Sequence, residues 1–261
     1  MESKNIIPIY KSCGSIGKSI LTVDKEYDIK DDSTVSIIAI SKKFNLKEVI
    51  IIDDSFFLFP QIYKNFVDEC TKVIFGINFI VCNDVKDKND KSRRTESKVS
   101  ILMKNSNGYQ DLIKIYNAAK SVEENFYFYG RLDWKIIHSL WTDNLYMILP
   151  PYDNFIHKNL LCNGLCVPDF KNINPLFTFA DQDIPFDNIL IPTIKEYAEI
   201  YKFDLSEVHP IYYYRRSDFE TYMTFRAIDE RNKFENINLD YFCSPEFCFE
   251  SYANKVGIKF E

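Results

Sequence analysis

Short apolar runs rich in β-branched residues alternate with helix-like stretches along the whole chain. The apolar runs, which predict strands, lie at 6–10, 35–40, 49–52, 72–81, 99–103, 145–149 and 205–214. The helix-like stretches lie at 59–70, 109–119 and 192–201. This alternation predicts an α/β sheet or barrel. No internal repeat and no Gly/Ser-rich or Pro-rich linker interrupts the 261 residues, so we expect a single domain, with 154–175 as a long irregular connection inside it.

The charge balance opposes contact with nucleic acid. A formal net charge of −6 and a pI of about 5.3 repel a phosphate backbone unless the basic residues gather on one face. The densest basic stretch, KDKNDKSRRTESK at 86–98, also contains Asp87, Asp90 and Glu96. Mixed charge of this kind predicts a solvated hairpin loop, with a DNA-contacting loop as the weaker alternative. We expect direct DNA binding to be weak or absent.

The cysteine pattern indicates neither a zinc site nor a disulfide framework. Seven cysteines are present, and none forms a C-x-x-C pair: Cys162 and Cys166 are four apart, and Cys243 and Cys248 are five apart. No stretch resembles a signal peptide or a membrane span, so we expect no membrane contact. Together with the odd cysteine count, this favours a reducing, cytoplasmic compartment.

The segment SCGSIGKS at 12–19 invites a nucleotide-binding interpretation. Gly17, Lys18 and Ser19 follow a predicted strand, as a phosphate-binding loop would. However, the first glycine of G-x-x-x-x-G-K-S falls at Ser12, and ILTVD after Ser19 is a poor helix opening. A phosphate loop needs that helix N-terminus, so the sequence does not favour an ATPase.

Two stretches in the first third of the chain carry a more specific pattern. The first is YKSCGS at 10–15; the second is VIIIDDS at 49–55, which continues through IYK at 62–64 to FGINF at 75–79. They resemble the H-x-H opening, the T-D-H-G strand end, the F-Y-K helix and the G-x-E-F of one family. That family is the PHP (polymerase and histidinol phosphatase) domain, which begins bacterial replicative DNA polymerase III alpha subunits.

Later stretches are similar to the same family in the same order. KVSILMKNSNGYQDL at 98–112 resembles a strand beginning with His and the A-K-N-x-x-G-Y-x-N-L after it, which is the most specific match. YAEIY at 197–201 and IYYYRRSD at 211–218 resemble a helix, the N-D-V-H-Y strand and the x-P-E-D that follows. SPEFCFES at 244–251 resembles the S-D-E-F-Y-L-K-S that leads toward the polymerase palm. The resemblance covers 6–251, nearly the whole chain.

This resemblance implies a distorted (β/α)7 barrel. We expect a single barrel domain over 1–228 and a short C-terminal extension over 229–261, which resembles the connection from PHP domain to palm and packs back on the barrel. In active relatives, a cluster of His, Asp, Glu and Cys ligands at the C-terminal ends of the strands holds divalent metal ions and activates water.

The positions that match this metal site hold a different set of side chains: Lys11, Cys13, Asp53, Asp54, Asn78, Lys98, Pro210 and Tyr212. Protonated lysine cannot coordinate a hard cation and proline has no side-chain donor, so these replacements remove ligands. We therefore expect no metal, no cofactor and no catalytic residue. Lys11 and Lys98 are predicted to replace the metal charge and to pair with Asp53 or Asp54. His138, His157 and His209 match no ligand position and are predicted to be surface or core residues.

The resemblance and the missing ligands predict a binding module rather than an enzyme. We expect a catalytically inactive replication scaffold that binds a DNA polymerase subunit or a proofreading exonuclease, with a homo-oligomer also open. Either the polymerase is split, with its palm on another polypeptide, or the protein works on a host replisome. The alternative is a residual metal-dependent phosphoesterase or exonuclease acting on DNA ends or pyrophosphate. The bias toward Ile, Lys, Asn, Phe and Tyr is typical of AT-rich genomes, and a compact, degenerate copy of the domain favours a bacteriophage source in a bacterial cell.

The C-terminal stretch YFCSPEFCFESY at 241–252 is too aromatic to be left in water. Phe247, Phe249 and Tyr252 are therefore candidate partner-binding residues. Their apolar side chains can be buried in two ways. Either the stretch folds onto its own barrel, or it contacts a separate polymerase subunit or a second copy of the chain.

Overall fold

The computed structural model of the protein describes residues 5–25, 35–67, 71–229 and 244–260. The strands are β1 (Ile7–Tyr10), β2 (Glu48–Asp53), β3 (Lys72–Cys82), β4 (Ser97–Met103), β5 (Phe126–Tyr127), β6 (Tyr129–Gly130), β7 (Leu132–Asp133), β8 (Leu145–Leu149), β9 (Leu176–Phe179) and β10 (Leu205–Ile211). The helices are α1 (Ile37–Lys43), α2 (Phe59–Phe66), α3 (Asp90–Arg93), α4 (Ser106–Lys120), α5 (Trp134–Leu140), α6 (Phe155–Leu161), α7 (Asp187–Tyr201), α8 (Phe219–Asp229) and α9 (Phe249–Val256). Short 3-10 turns occupy Glu123–Asn125 and Arg216–Asp218.

The strand pairings confirm an α/β barrel. Eight strands follow the order β2-β1-β10-β9-β8-β4-β3-β7, and β2 also pairs with β3, so seven strands of the described part of the chain form a closed ring. β1 is parallel to β2 and β10, whereas β4 is antiparallel to both β3 and β8. Closure leaves these strands without free edges. The antiparallel pairs mean that the barrel is not a regular repeat of parallel strand and helix.

The chain divides into two compact units. Unit 1 comprises 1–75, 180–187 and 207–261, and unit 2 comprises 76–179 and 188–206. Unit 1 therefore contains β1, β2, most of β10, and helices α1, α2, α8 and α9. Unit 2 contains most of β3, the strands β4 to β9 and helices α3 to α6. No helix among the described residues has the length and apolar character needed to cross a bilayer.

The C-terminal segment is part of the core of unit 1. Backbone N–H groups of Tyr212 and Phe249 donate to the carbonyls of Phe247 and Tyr213, at 2.9 and 3.0 Å, so the segment lies alongside the chain that follows β10. Phe247 and Phe249 are both fully buried, and Tyr252 is 8% exposed. Residues 244–260 therefore pack within unit 1. Residues 230–243, which include part of the aromatic stretch, lie outside the described residues.

One predicted strand is wrong. The run at 35–40 forms the start of α1 rather than a strand, because Ser36 caps the helix by accepting hydrogen bonds from the N–H groups of Ile38 and Ala39. Ile37, Ile38 and Ile40 are buried, so tertiary packing outweighs the modest helix penalty of β-branched residues.

Two predicted irregular segments also contain helices. Within 154–175, the side chain of Asn154 accepts a hydrogen bond from the N–H of His157 and begins α6, a signal concealed by the turn-forming residues around it. Within 86–98, the predicted hairpin between the antiparallel β3 and β4 is confirmed, but it carries the short helix α3. Its last residues belong to β4, where Val99 to Leu102 are buried on both faces of the strand.

Candidate functional site

Asp53 ends β2 inside unit 1 and is surrounded by hydroxyl groups. Its carboxylate accepts hydrogen bonds from the N–H and the hydroxyl of Ser12, at 2.8 and 2.5 Å, and from the hydroxyl of Ser15, at 3.0 Å. Burial raises the pKa of Asp53, and the hydrogen bonds from Ser12 oppose that rise. Both carboxylate oxygens are therefore occupied by donors from the loop that follows β1.

Asp54, the next residue, is held by two ammonium groups. The Nζ of Lys11 lies 2.8 Å from its Oδ1, and the Nζ of Lys18 lies 2.6 Å from its Oδ2. Burial alone would raise the pKa of Asp54, but the attraction of both lysines outweighs it and holds this pKa well below the usual range. The predicted pairing of Lys11 with one of the two aspartates is confirmed by this contact.

The loop carrying these lysines is tied to the chain after β10. The hydroxyl of Ser19 lies 2.5 Å from the carbonyl oxygen of Lys11 and 2.8 Å from that of Tyr212, which also accepts from the N–H of Ile20. Cys13 donates its backbone N–H to Leu21, and burial raises the pKa of its thiol. Matched positions Cys13 and Tyr212 thus hold the loop in place through backbone bonds. Pro210, another of the matched positions, lies within β10 and is paired with Ile9 of β1.

This loop does not have the form of a phosphate-binding loop. Residues 20–25 are not helical, and Lys18 contacts Asp54 rather than pointing from a strand–helix turn. Gly17 has a positive φ of 71°, which suits a tight turn between Ser15 and Ser19. The geometry therefore gives no support to the nucleotide-binding interpretation of 12–19.

A second saturated carboxylate lies in unit 2, beside matched position Lys98. The Nζ of Lys98 is 2.5 Å from Oδ2 of Asp153, and the Nζ of Lys158 is 2.8 Å from Oδ1. Burial alone would raise the pKa of Asp153, but the attraction of both lysines outweighs it and lowers this pKa. The backbone N–H of Asp153 donates to Nδ1 of His157 at 2.9 Å. The prediction that Lys98 pairs with Asp53 or Asp54 is therefore wrong, because Asp153 after β8 is its partner.

The remaining matched position, Asn78, lies in β3 within unit 2. Its Oδ1 accepts a hydrogen bond of 2.6 Å from the hydroxyl of Ser100, its direct neighbour on β4. A cross-strand side-chain pair of this kind stabilises the sheet. The amide of Asn78 contributes no negative charge for binding a metal.

The donor set does not fit a multinuclear metal centre. Each of the aspartates described above already accepts hydrogen bonds or ion pairs at both oxygens. Across 5–25, 35–67, 71–229 and 244–260, no group of at least three His, Cys, Asp or Glu side chains is placed to hold an ion. A divalent cation would have to displace ammonium groups that lie within the same site. The oxygens of Asp53, Asp54 and Asp153 are thus already engaged by groups of the protein itself.

The candidate partner-binding residues do not lie at the surface. Phe249 packs against the rings of Phe44, Tyr214 and Tyr10, with centroid distances of 4.7, 6.1 and 6.5 Å, and Phe247 stacks on Tyr212 at 5.2 Å. The assignment of Phe247, Phe249 and Tyr252 to a partner contact is therefore corrected. Their apolar faces are covered inside unit 1, and a partner must use other side chains.

Several residues of these two clusters are absent from the sequence-based assignment. In the sequence, Lys18 stands out only as part of a possible nucleotide motif. Nothing in the sequence marks Ser12 and Ser15 as hydrogen-bond donors to Asp53. Asp153 and Lys158 carry no family motif, and their only local signal is the spacing of a carboxylate and two cationic or imidazole side chains over one helical turn. The histidines match expectation: His209 is buried and hydrogen-bonded, and His138 lies 3.2 Å from Asp169.

The two lysines on Asp54 are expected to contribute unequally to stability. The side chain of Lys11 is 12% exposed and that of Lys18 is 39% exposed. We expect Lys11→Met to lower the free energy of unfolding by about 2 kcal/mol, between the values typical of exposed and of buried ion pairs. Lys18→Met should cost less than about 1 kcal/mol. Urea denaturation of both variants checks this, and equal effects would contradict an unequal role.

Comparison with models of known protein families and with curated proteins finds no match for this chain. The resemblance to the PHP domain rests on the order of the sequence motifs alone.

Proposed function

We propose that this protein is a degenerate relative of the PHP barrel that serves as a binding module in DNA replication. The observation that carries the proposal is the replacement of ligands by ammonium groups. Lys11 and Lys98 stand at positions where the family has metal-binding histidines, and each forms an ion pair with a nearby aspartate. Charge that metal ions would supply in an active relative is supplied here by lysine.

The clusters explain how such a barrel retains its fold without metal. A carboxylate buried without a counterion is costly, so loss of the metal alone would destabilise the strand ends. Asp54 and Asp153 each have two ammonium partners instead. The barrel is thereby preserved as a scaffold. Its proposed role does not use metal-activated water, which is the basis of phosphoesterase chemistry.

We assign the partner to the bacterial replication machinery, in the cytoplasm of the cell. The partner classes are a replicative DNA polymerase subunit, including a separately encoded palm, and a proofreading exonuclease. This assignment follows from the resemblance of the whole chain to a polymerase domain. A phage origin would place the same contact in an infected cell.

An exposed apolar patch in unit 1 is the surface we assign to this contact. The patch consists of Phe57, Tyr63 and Val67, which are 75%, 65% and 60% exposed. Tyr63 and Val67 are one turn apart at the end of α2, so they share a face. Single exposed apolar residues are ordinary. Tyr63 and Val67 share one face of α2 and Phe57 lies two positions before this helix, so we assign the partner contact to this part of unit 1.

The double variant Tyr63→Ser, Val67→Ser should lose partner binding and remain folded. Truncated interface anchors typically cost about 2 kcal/mol or more, which corresponds to a roughly thirty-fold weaker affinity. Calorimetric titration with the purified polymerase alpha subunit and with the proofreading exonuclease measures this. The matched control is Leu160→Ser, Leu161→Ser in unit 2, whose side chains are 41% and 38% exposed. The control should bind the partner as the parent protein does.

Three results would contradict the proposal. If neither protein binds the parent chain, the replication assignment fails. Release of phosphate or nucleotide with manganese, abolished by Asp53→Asn or Asp54→Asn, would establish the alternative of a residual phosphoesterase. Concentration-dependent self-association that the patch variant abolishes would identify a second copy of the chain as the occupant of the patch.

A further inference from the structure

The hairpin connection between β3 and β4 is fixed in unit 2 by a buried arginine. Arg131 is fully buried and donates to the carbonyl oxygens of Val85 and Asp87, at 3.1 and 3.0 Å, and to Oε1 of Glu96, at 3.1 Å. The other oxygen of Glu96 accepts from the hydroxyl of Tyr129. The basic stretch at 86–98 is thus held in a defined conformation by buried hydrogen bonds and is not only a solvated loop.

A cleft of about 410 Å³ opens beside this connection. Its walls carry the cationic side chains of Arg93, Arg94 and Lys158. Arg94 is oriented by two hydrogen bonds to Asn163, from Nε to the carbonyl at 2.8 Å and from Nη2 to the side-chain oxygen at 2.7 Å.

Positive charge is in excess at the cleft despite the net charge of the chain. Glu96 is neutralised by Arg131, and Lys158 shares the single carboxylate of Asp153 with Lys98. Of the side chains that line the cleft, only Asp90 remains to offset Arg93 and Arg94. Local excess of guanidinium groups in a concave site favours a phosphate or carboxylate ligand.

An exposed aromatic ring adjoins the cationic wall. Phe128 is 69% exposed at the tip of the β5–β6 hairpin and adopts a positive φ of 61°, which is unusual for a bulky residue. The guanidinium carbon of Arg93 lies 5.8 Å from the centroid of this ring, and Tyr127 packs at 4.6 Å on it. An exposed ring held beside a guanidinium group is a surface on which a nucleobase stacks.

We propose that this cleft binds the phosphate of a nucleotide, with Arg93 and Arg94 on the phosphate and Phe128 stacked on the base. The nucleotide is either free or the 5′-phosphorylated end of a single DNA strand, since both present the same phosphomonoester and base. The site does not depend on the partner contact proposed above, and it requires no catalysis.

Fluorescence or calorimetric titration with dTMP, inorganic phosphate and oligo(dT) with and without a 5′-phosphate tests the site. Saturable binding of dTMP is expected, and Arg93→Met should weaken it about ten-fold or more, as loss of a charge-assisted contact implies. Phe128→Ala should weaken dTMP about ten-fold through lost stacking, while inorganic phosphate binds as before. Tighter binding of the phosphorylated oligonucleotide than of dTMP would identify a strand end as the ligand.

The control is Lys91→Met, an exposed lysine of α3 that does not line the cleft. It should change dTMP affinity by less than about two-fold, because screened charges outside a contact contribute little. Equal losses in Lys91→Met and Arg93→Met would mean non-specific attraction and overturn the proposal, as would an absence of dTMP binding to the parent protein. Thermal melting of each variant in the absence of ligand separates lost binding from lost folding.

Discussion

Replacing Phe249 by alanine is expected to lower the free energy of unfolding by about 3–5 kcal/mol, the range typical of large-to-small changes in a well-packed core. The side chain is fully buried and lies among the rings of Tyr10, Phe44, Tyr214 and Phe260. Deleting it leaves a cavity that these rigid rings cannot fill, since they belong to separate segments of unit 1. Equilibrium denaturation with urea measures the change.

Phe57→Ala is the matched control, because it removes the same group from a position that is 75% exposed in the same unit. It should change stability by less than about 0.5 kcal/mol. For the same reason, serine at both Phe247 and Phe249 is expected to unfold the protein and not to remove a partner contact selectively. If the Phe249→Ala variant were folded and as stable as the parent protein, the C-terminal segment would not be part of the core.

The C-terminal segment illustrates what the sequence could and could not decide. Its aromatic content showed that a cover was needed, but composition does not distinguish an intramolecular cover from a partner. The choice depends on long-range backbone pairs such as the N–H of Phe249 with the carbonyl of Tyr213, which join residues far apart along the chain. No local pattern encodes such pairs.

Strands were predicted well wherever β-branched runs were also paired on both sides. The alternation of runs with helices predicted an α/β sheet or barrel, and only the family resemblance implied a barrel. The failure at α1 has a local cause: Ser36 was a visible capping residue, and the isoleucines after it suit a buried helix as well as a buried strand. Short apolar runs are ambiguous without their caps.

The candidate site was predicted in part. Lys11 was matched to a ligand position and assigned an aspartate as partner, which the geometry bears out. For Lys98 the same reasoning chose the wrong carboxylate, because Asp153 lies in a turn with no motif and adopts a positive φ of 61°. Aspartate tolerates a positive φ, but many turns contain an aspartate. The sequence alone could therefore not identify Asp153 as the partner of Lys98.

Acidification is expected to destabilise the protein through His209 by about 2–3 kcal/mol between pH 6.5 and 4.5, at 1.36 kcal/mol per pH unit. Burial, with the nearby charge of Lys255, lowers the pKa of His209 to about 3. Its Nε2 lies 3.1 Å from the carbonyl of Cys248, which can only accept, so that nitrogen carries the proton and Nδ1 accepts from Gln182 at 3.1 Å. The neutral ring is thus the form that the fold requires.

The sign follows from comparing the two states. A histidine in the unfolded chain binds a proton below about pH 6.5, whereas His209 in the folded protein does not until about pH 3. The unfolded state therefore gains protons within that window, and stability falls as the pH falls through it; above pH 6.5 the full contribution is present.

Urea denaturation of the parent protein and of His209→Gln at several pH values from 7 to 4.5 isolates the contribution of this histidine. Glutamine keeps a donor for the Cys248 carbonyl but does not titrate, so the variant's stability should change with pH by about 2–3 kcal/mol less than the parent's. Tyr252→Phe is the control, because it alters a ring 5.8 Å from the same imidazole without removing a group that titrates in this range. Its pH profile should run parallel to that of the parent, and a parallel profile for His209→Gln would show that the imidazole is already charged in the folded protein.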